Sequence, residues 1–256
     1  MLGINQKTLS VILAVLFGIV LLGGLVYRNE IRQWLRPEIV VTFPEGITSL
    51  EIDEILADAG ITPRGSVAAI VERDEREGYL FPDTYHFREA TDPEIVVGRL
   101  VATWEEKAQP LFEENPGDVY ETIILASILE REVRDADDQR TVAGLLKKRL
   151  SIDMRLQVDA TICYLKYLEN PDESCYPLER VDFAVKSPYN TYLNQGLPPG
   201  PIGNPGVGAL RASLDAQPSP YWFYLSDPAT SRTIFSTTFE EHERNRVRYL
   251  KGGEEE

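Results

Sequence analysis

One stretch of the sequence, residues 118–133, places two glutamates in an otherwise apolar helix and constrains how the whole chain can fold. Asp118 is followed three residues later by Glu121, directly before an apolar run, which predicts a capped helix starting at Val119. Apolar side chains among residues 123–133 cover most of the helix circumference, as is typical of a core helix. The rest of the chain is therefore expected to pack around this helix.

The two glutamates of this helix, Glu130 and Glu132, are costly because a buried carboxylate must be paired or must keep its proton. An acid that stays protonated near neutral pH suits general acid catalysis. The alternative, a commoner arrangement, is that both lie at the helix flank and pair with Arg131, Arg134 or Lys147. Helix geometry does not choose between the two glutamates, because each lies to one side of the apolar centre.

Charge and composition exclude several classes of function. Among 256 residues, 26 Lys and Arg stand against 41 Asp and Glu, a net charge of −15 that argues against nucleic acid as a partner. The two histidines, His86 and His242, are far apart, and HExxH, CxxC and GxSxG motifs are absent from the sequence, so we expect no metal, no cofactor and no Ser-His chemistry. Cys163 and Cys175 are compatible with a local disulfide outside the cytoplasm and equally with two buried free thiols.

An apolar run without charges occupies residues 9–27, from Leu9 to Tyr27, and is long enough to span a bilayer. A cleavable signal peptide is the alternative, but its apolar core is usually shorter and ends at small residues. The sequence therefore predicts an uncleaved membrane anchor. Lys7 precedes the run and three arginines follow it, so flanking charge alone would put the large domain in the cytoplasm, although long domains translocate largely regardless of such charges.

After this run, the pattern predicts a small module and then a larger domain, an α+β fold in all. The module is expected to contain a strand at 39–43, a turn at 44–46, helices ending at Gly60 and spanning 66–77, and an aromatic strand up to residue 87. The larger domain is expected to contain helices at 93–113, 139–150, 207–215 and 239–250 and a hairpin at 221–226 and 233–236. A Pro- and Gly-rich segment at 196–206 is typical of a rigid loop, either a binding-site wall or a crossover.

Six motifs, in order along the chain, resemble those of the endolytic murein transglycosylase family, the MltG or YceG-like proteins. The motifs are Val41-Thr-Phe-Pro-Glu-Gly46, Glu77-Gly-Tyr-Leu-Phe-Pro-Asp-Thr-Tyr-His-Phe87, Ala126-Ser-Ile-Leu-Glu-Arg-Glu132, Arg155-Leu-Gln-Val-Asp159, Ser187-Pro-Tyr-Asn-Thr-Tyr192 and Gly196-Leu-Pro-Pro-Gly-Pro-Ile202. They cover nearly everything after the apolar run. The resemblance implies a single N-terminal transmembrane helix, a small LysM-like α/β module and a mixed α+β catalytic domain.

The resemblance also implies boundaries and a location. The expected parts are residues 1–29 for the N-terminal segment and anchor, 30–88 for the juxtamembrane segment and LysM-like module, 89–251 for the YceG-like catalytic domain, and 252–256 for an acidic tail. The catalytic domain is expected on the cell-wall side of the inner membrane, in a single-pass protein. The implied partners are peptidoglycan glycan strands and the peptidoglycan synthases and division or elongation proteins.

Lytic transglycosylases cleave the MurNAc-GlcNAc β-1,4 bond without water, and the MurNAc 6-hydroxyl closes a 1,6-anhydro ring, so one carboxyl group can act first as acid and then as base. The implied role is the termination of nascent strand elongation. The family's catalytic glutamate, the first in Ser-Ile-Val-Glu-Lys-Glu, maps onto Glu130, with Leu129 and Arg131 departing from that motif. Candidate substrate-binding residues, each equally suited to holding loops together, are Gln157, Asp159, Tyr189, Asn190, Thr191 and Tyr192.

Two other functions stay open at this point. A non-catalytic, membrane-anchored glycan-binding or scaffold protein would use Glu130 structurally and yield no cleavage product. An ordinary glycoside hydrolase would need a second carboxylate near Glu130, for which Asp159 is the first candidate, and would release reducing-end MurNAc.

Overall fold

The computed structural model describes residues 36–115 and 117–250, together with positions 15, 17, 18, 23 and 24. Apart from these isolated positions, the predicted anchor at residues 9–27 lies outside the described residues, as does the acidic tail. Among the helices in the described part, none is both long and apolar enough to cross a membrane.

The described chain is a mixed α+β structure of helices and two small sheets, which confirms the predicted fold class at that level. The strands are β1 (Glu38–Thr42), β2 (Thr84–Arg88), β3 (Phe223–Ser226) and β4 (Thr233–Ser236). The helices are α1 (Ser49–Asp58), α2 (Ser66–Arg73), α3 (Pro93–Lys107), α4 (Gln109–Glu114), α5 (Val119–Glu132), α6 (Ala136–Leu150), α7 (Asp159–Glu169), α8 (Val207–Leu214) and α9 (Phe239–Leu250), with a short 3-10 helix at Asp182–Ala184.

The N-terminal unit, from β1 to β2 (residues 38–88), has the order strand, helix, helix, strand. β1 and β2 pair in antiparallel fashion, with Glu38 opposite Arg88, and α1 and α2 bury a core against them. α2 has no side-chain cap of its own. Instead the buried carboxylate of Asp53, in α1, accepts hydrogen bonds from the backbone N–H groups of Val67 (2.9 Å) and Ala68 (3.3 Å). One α1 side chain thus fixes the start of the second helix.

Helix α3 belongs to two cores. Val96, Val97 and Leu100 pack with the N-terminal unit, whereas Trp104 packs in the larger C-terminal core. The single helix predicted at 93–113 is two helices, α3 and α4, with a break at Ala108. The break lies where Pro110, which cannot donate a backbone hydrogen bond, would disrupt a continuous helix.

The central helix α5 confirms the prediction made from its sequence. It begins at Val119, and the side chain of Asp118 accepts a hydrogen bond from the N–H of Glu121 at 2.9 Å. Every residue from 123 to 129 is buried. α5 packs against α6, α7 and α8, so it forms the middle of the larger core.

Helix α7 has no counterpart among the predicted elements. Its N-cap residue, Val158, supplies no side-chain hydrogen bond, so the usual start signal is missing. α7 carries Cys163, which forms a disulfide with Cys175 across a Cα–Cα distance of 5.1 Å. Of the two states considered for these cysteines, the structure therefore has the disulfide.

The two cores are joined by Asn204, which is fully buried in the Pro- and Gly-rich loop. Its Oδ1 accepts hydrogen bonds from the N–H groups of Gly78 (2.8 Å) and Leu80 (2.9 Å). Its Nδ2 donates to the carbonyl of Ile47 (2.9 Å) and to Oε1 of Glu77 (2.8 Å). One side-chain amide thus uses its full hydrogen-bonding capacity to tie this loop to the N-terminal unit.

Replacing Asn204 with alanine should lower the free energy of unfolding by about 2–4 kcal/mol, because two buried N–H groups would lose their acceptor. Chemical denaturation followed by circular dichroism measures this loss. The matched control is Asn170→Ala, at the exposed end of α7, which should change stability by no more than about 0.5 kcal/mol. Equal stability of the two variants would contradict the role given to Asn204 in tying the loop to the N-terminal unit.

Candidate active site

The C-terminal end of α5 directs its two glutamates into different surroundings. Glu130 and Glu132 lie two residues apart, which places their side chains about 200° apart around the helix axis. Within the described part of the chain, neither carboxylate forms an ion pair with a basic side chain. Lys147, one of the cations considered as a partner, instead donates to the carbonyl of Ser213 at 2.7 Å.

Glu130 is half-buried, and its Oε2 accepts a hydrogen bond from the N–H of Gly206 at 3.0 Å. Burial raises the pKa of Glu130 above its usual range. The Gly206 N–H opposes this rise because it stabilises the charged form, and the negative charge of nearby Glu45 adds to it. The net effect of these surroundings is a pKa above the usual glutamate range.

Glu45 reaches this site from the turn that follows β1. A Cβ atom on Gly206 would lie 1.7 Å from Oε1 of Glu45, so only glycine leaves room for that carboxylate. Gly46 has a φ of +81°, and a Cβ atom there would lie 3.2 Å from Cγ of Glu130. These two glycines let the turn pack closely against α5. Glu45 and Glu130 therefore both lie close to Gly206.

Arg131 lies between the two glutamates in sequence, but its side chain forms hydrogen bonds with backbone carbonyl groups. Its Nη1 donates to the carbonyls of Gly46 at 3.2 Å and Ile202 at 3.4 Å. The guanidinium thus joins the 44–46 turn and the 196–206 loop to the end of α5. The arrangement leaves both glutamates without a neutralising cation among the described residues.

Glu132 forms a second carboxyl site with α7 and the β3-β4 hairpin. Its carboxylate accepts hydrogen bonds from the N–H of Ala160 (2.7 Å) and the hydroxyl of Tyr224 (3.0 Å). Asp159 lies beside it and accepts a hydrogen bond from the hydroxyl of Tyr192. Burial, together with the charge of Asp159, raises the pKa of Glu132 to about 7.

Two of the predicted substrate-binding residues, Asp159 and Tyr192, therefore meet at Glu132. Tyr189 lies apart from them and packs against Tyr164, with ring centroids 5.2 Å apart. Gln157 is exposed in a left-handed backbone conformation (φ 51°), and its N–H donates to the carbonyl of Thr191 at 3.1 Å.

The other two predicted residues, Asn190 and Thr191, are buried, and their side chains form hydrogen bonds with backbone groups of neighbouring segments. Nδ2 of Asn190 donates to the carbonyls of Phe183 (3.1 Å) and Val185 (2.8 Å). Oγ1 of Thr191 accepts from the N–H of Val158 at 3.0 Å. In the described residues, none of the six predicted substrate-binding side chains forms a hydrogen bond with Glu130.

Sequence reasoning missed Glu45 and Tyr224 as parts of the two sites. Glu45 stood inside the motif at 41–46, but nothing in that motif indicates that its side chain meets α5. Tyr224 lies in a strand that was predicted, yet strand periodicity does not tell which helix its hydroxyl faces. The described residues contain no group of three or more His, Cys, Asp or Glu side chains placed to bind one metal ion.

A cavity of about 720 Å³ lies at the other end of α5. It is lined there by Asp118, Glu121 and Leu125, with Lys147 on the facing helix α6. Its lining contains none of the predicted site residues. The chemistry suggested by the two glutamates therefore belongs to the C-terminal end of α5 and not to this cavity.

Comparison with known proteins gives consistent results, beginning with a match of residues 24–248 to the model of the YceG-like family. A Streptococcus pneumoniae (serotype 2, strain D39) protein named endolytic murein transglycosylase is 30% identical over 172 residues, 66% of this chain and 31% of that protein. A Bacillus subtilis (strain 168) protein of the same name is 31% identical over 183 residues, 70% of this chain and 49% of that protein. The crystal structure of a YceG-like protein from Listeria monocytogenes, 28% identical, has a TM-score of 0.67 and covers 82% of this chain and 76% of that chain.

The chain thus spans less than half the length of the curated relatives it matches, 31% in one case and 49% in the other. The family model nevertheless covers it from before β1 almost to the end of α9. The Listeria structure shares its fold at 28% identity. This chain therefore belongs to the YceG-like family.

Proposed function

We propose that this protein is a membrane-anchored endolytic lytic transglycosylase. It cleaves the MurNAc-GlcNAc β-1,4 bond of peptidoglycan glycan strands and leaves 1,6-anhydro-MurNAc ends. Family membership and the names of two relatives support the proposal. The observation that carries it is the half-buried carboxyl group of Glu130, whose pKa burial raises, in a setting without a paired cation among the described residues.

In this mechanism Glu130 first donates its proton to the glycosidic oxygen as the bond from C1 of MurNAc breaks. The resulting carboxylate then takes the proton of the MurNAc 6-hydroxyl, whose oxygen bonds to C1 and closes the anhydro ring. The Gly206 N–H stabilises the carboxylate that Glu130 becomes after it has donated its proton. Among the described residues no hydrogen bond reaches Oε1 of Glu130, which leaves that oxygen for the substrate.

Glu45 has two roles in this account. Its charge raises the pKa of Glu130 and so favours the acid form at the start of the reaction. It can also stabilise the positive charge that develops at C1 in an oxocarbenium-like transition state. The hydrolase alternative would need Glu45 as its second carboxylate, since Asp159 lies with Glu132 instead. Product chemistry separates the two mechanisms.

The N-terminal unit is proposed as a LysM-like glycan-binding module, because its strand-helix-helix-strand order supports that assignment. The module is taken to span residues 30–88 and the catalytic domain residues 89–251, with α3 packing in both cores. The module would hold the strand while the site beside Glu130 cuts it. Termination of nascent strands, next to peptidoglycan synthases and division or elongation proteins, is the biological role proposed for this reaction.

The anchor at residues 9–27 is proposed to hold the catalytic domain on the cell-wall side of the inner membrane. The Cys163–Cys175 disulfide supports that side, because disulfides persist mainly outside the cytoplasm. Alkaline phosphatase fused to the C-terminus should be active, since it folds only in an oxidising compartment. A fluorescent cytoplasmic reporter at the same position, with inactive phosphatase, would contradict this orientation.

The reaction is tested by mass spectrometry of products from uncrosslinked glycan strands. The wild-type protein should release 1,6-anhydro ends, and Glu130→Gln should lower the rate at least about 100-fold because it removes the acid. Glu132→Gln is the matched control, on the same helix end, and should lose less than about tenfold because the amide keeps one hydrogen-bond acceptor. Circular dichroism checks the folding of each variant.

Each other outcome points to a different function. Full activity of Glu130→Gln would contradict the assigned acid, and reducing-end MurNAc would favour the hydrolase. A folded wild-type protein that cleaves nothing would favour the non-catalytic scaffold.

A further inference from the structure

The segment at residues 170–186, which no motif explains, is tied to the second carboxyl site by the disulfide. Cys163 follows Asp159 by four residues, so both side chains lie on one face of α7 with Cβ atoms about 5–6 Å apart. Cys175 is held with its Cα 5.1 Å from that of Cys163. The disulfide therefore anchors the segment one helical turn from Asp159.

The next residue along the chain, Tyr176, is 62% exposed. Its Cα lies no more than about 3.8 Å from that of Cys175, so the disulfide also holds the backbone at this residue. Partial burial of the side chain, together with the negative charges of Glu132 and Asp159, raises the pKa of Tyr176 to about 12. The side chain therefore lies within electrostatic range of both carboxylates while much of its surface faces solvent.

The segment is fixed at further points besides the disulfide. Lys166 of α7 forms an ion pair with Asp182 at 3.3 Å, and both side chains are largely buried. The amide of Asn190 holds the carbonyls of Phe183 and Val185. A segment held at both ends presents its exposed aromatic ring in one place, which lowers the entropy cost of binding.

An exposed tyrosine ring beside acidic side chains and tyrosine hydroxyls is suited to a sugar. The C–H groups on the face of a hexose pack on an aromatic ring, while carboxylates accept hydrogen bonds from its hydroxyl and amide groups. Asp159 and the hydroxyl of Tyr192 supply such groups here. The Glu130 acid lies on the other side of the helix end, so a sugar at Tyr176 would be a neighbouring unit of the same strand. Within the described residues, Tyr192 bonds to only one of the two Asp159 oxygens, which leaves the other as an acceptor for that sugar.

We propose that Tyr176, with Asp159, forms a subsite for a β-1,4-linked N-acetylhexosamine unit of the glycan strand, and that the Cys163–Cys175 disulfide holds this subsite in place. The inference rests on the proposed function for the identity of the strand. Tyr176 acts by binding and positioning the strand and takes no part in proton transfer.

The test measures binding and cleavage of uncrosslinked glycan strands by the full-length chain in detergent micelles. Binding is measured in the Glu130→Gln background, so that no strand is cut. Tyr176→Ala should weaken binding about tenfold, which is the scale of one aromatic contact. Tyr176→Phe should bind within about threefold of the parent because it keeps the ring.

The matched control is Val181→Ala, which changes another exposed apolar residue of the same segment, 68% accessible, and should leave binding unchanged. The double variant Cys163→Ser, Cys175→Ser should weaken binding as Tyr176→Ala does. In the otherwise wild-type chain, Tyr176→Ala should raise KM and leave kcat within about twofold. Thermal unfolding followed by circular dichroism establishes that each variant is folded.

Two results would overturn parts of the proposal, and a third would separate it from the proposed function. If Tyr176→Ala binds as tightly as Val181→Ala while the wild-type chain makes anhydro ends, the subsite is wrong and the proposed function stands. If the double variant Cys163→Ser, Cys175→Ser binds like the parent, the role given to the disulfide is wrong. Weaker binding by Tyr176→Ala in a protein that cleaves nothing would support the subsite and contradict the enzyme.

Discussion

The candidate site depends on the close packing of the 44–46 turn against the C-terminal end of α5. Gly46 and Gly206 make this approach possible, because a side chain at either position would meet Glu130 or Glu45. Asn204 secures it by tying the 196–206 loop to the N-terminal unit. The surroundings of Glu130 are therefore built from both cores of the molecule, and its acidity depends on their contact.

Helix α5 divides its two glutamates between two tasks. Its apolar residues place the helix end in the core, where a carboxylate without a cation lowers its cost by keeping a proton. Glu130 meets a single backbone N–H and a second carboxylate, which suits a group that must give up a proton and take one back. Both oxygens of Glu132 accept hydrogen bonds from the protein, which suits a group that joins α7 and the β3-β4 hairpin to the end of α5.

The sequence predicts the parts of this structure that local signals determine. α5 and its Asp118 cap could be predicted because the capping residue and the apolar run are adjacent in sequence. α7 was missed because Val158 offers no capping side chain, although this helix carries a candidate site residue and Cys163. The meeting of Glu45 with Glu130 depends on tertiary packing between distant segments, which neither periodicity nor motif spacing encodes. The disulfide also needed the positions of both cysteines in space.

Burial and the charge of Glu45 together raise the pKa of Glu130 in this fold. The most direct measurement is a pH titration of the Glu130 carboxyl carbon by NMR, assigned by comparison with Glu130→Gln, in the wild-type chain and in Glu45→Gln. We expect a Glu130 pKa above the usual glutamate range in the wild-type chain and a lower value in Glu45→Gln, because a nearby negative charge is removed. A Glu130 pKa within the range of exposed glutamates, and unchanged in the variant, would contradict it.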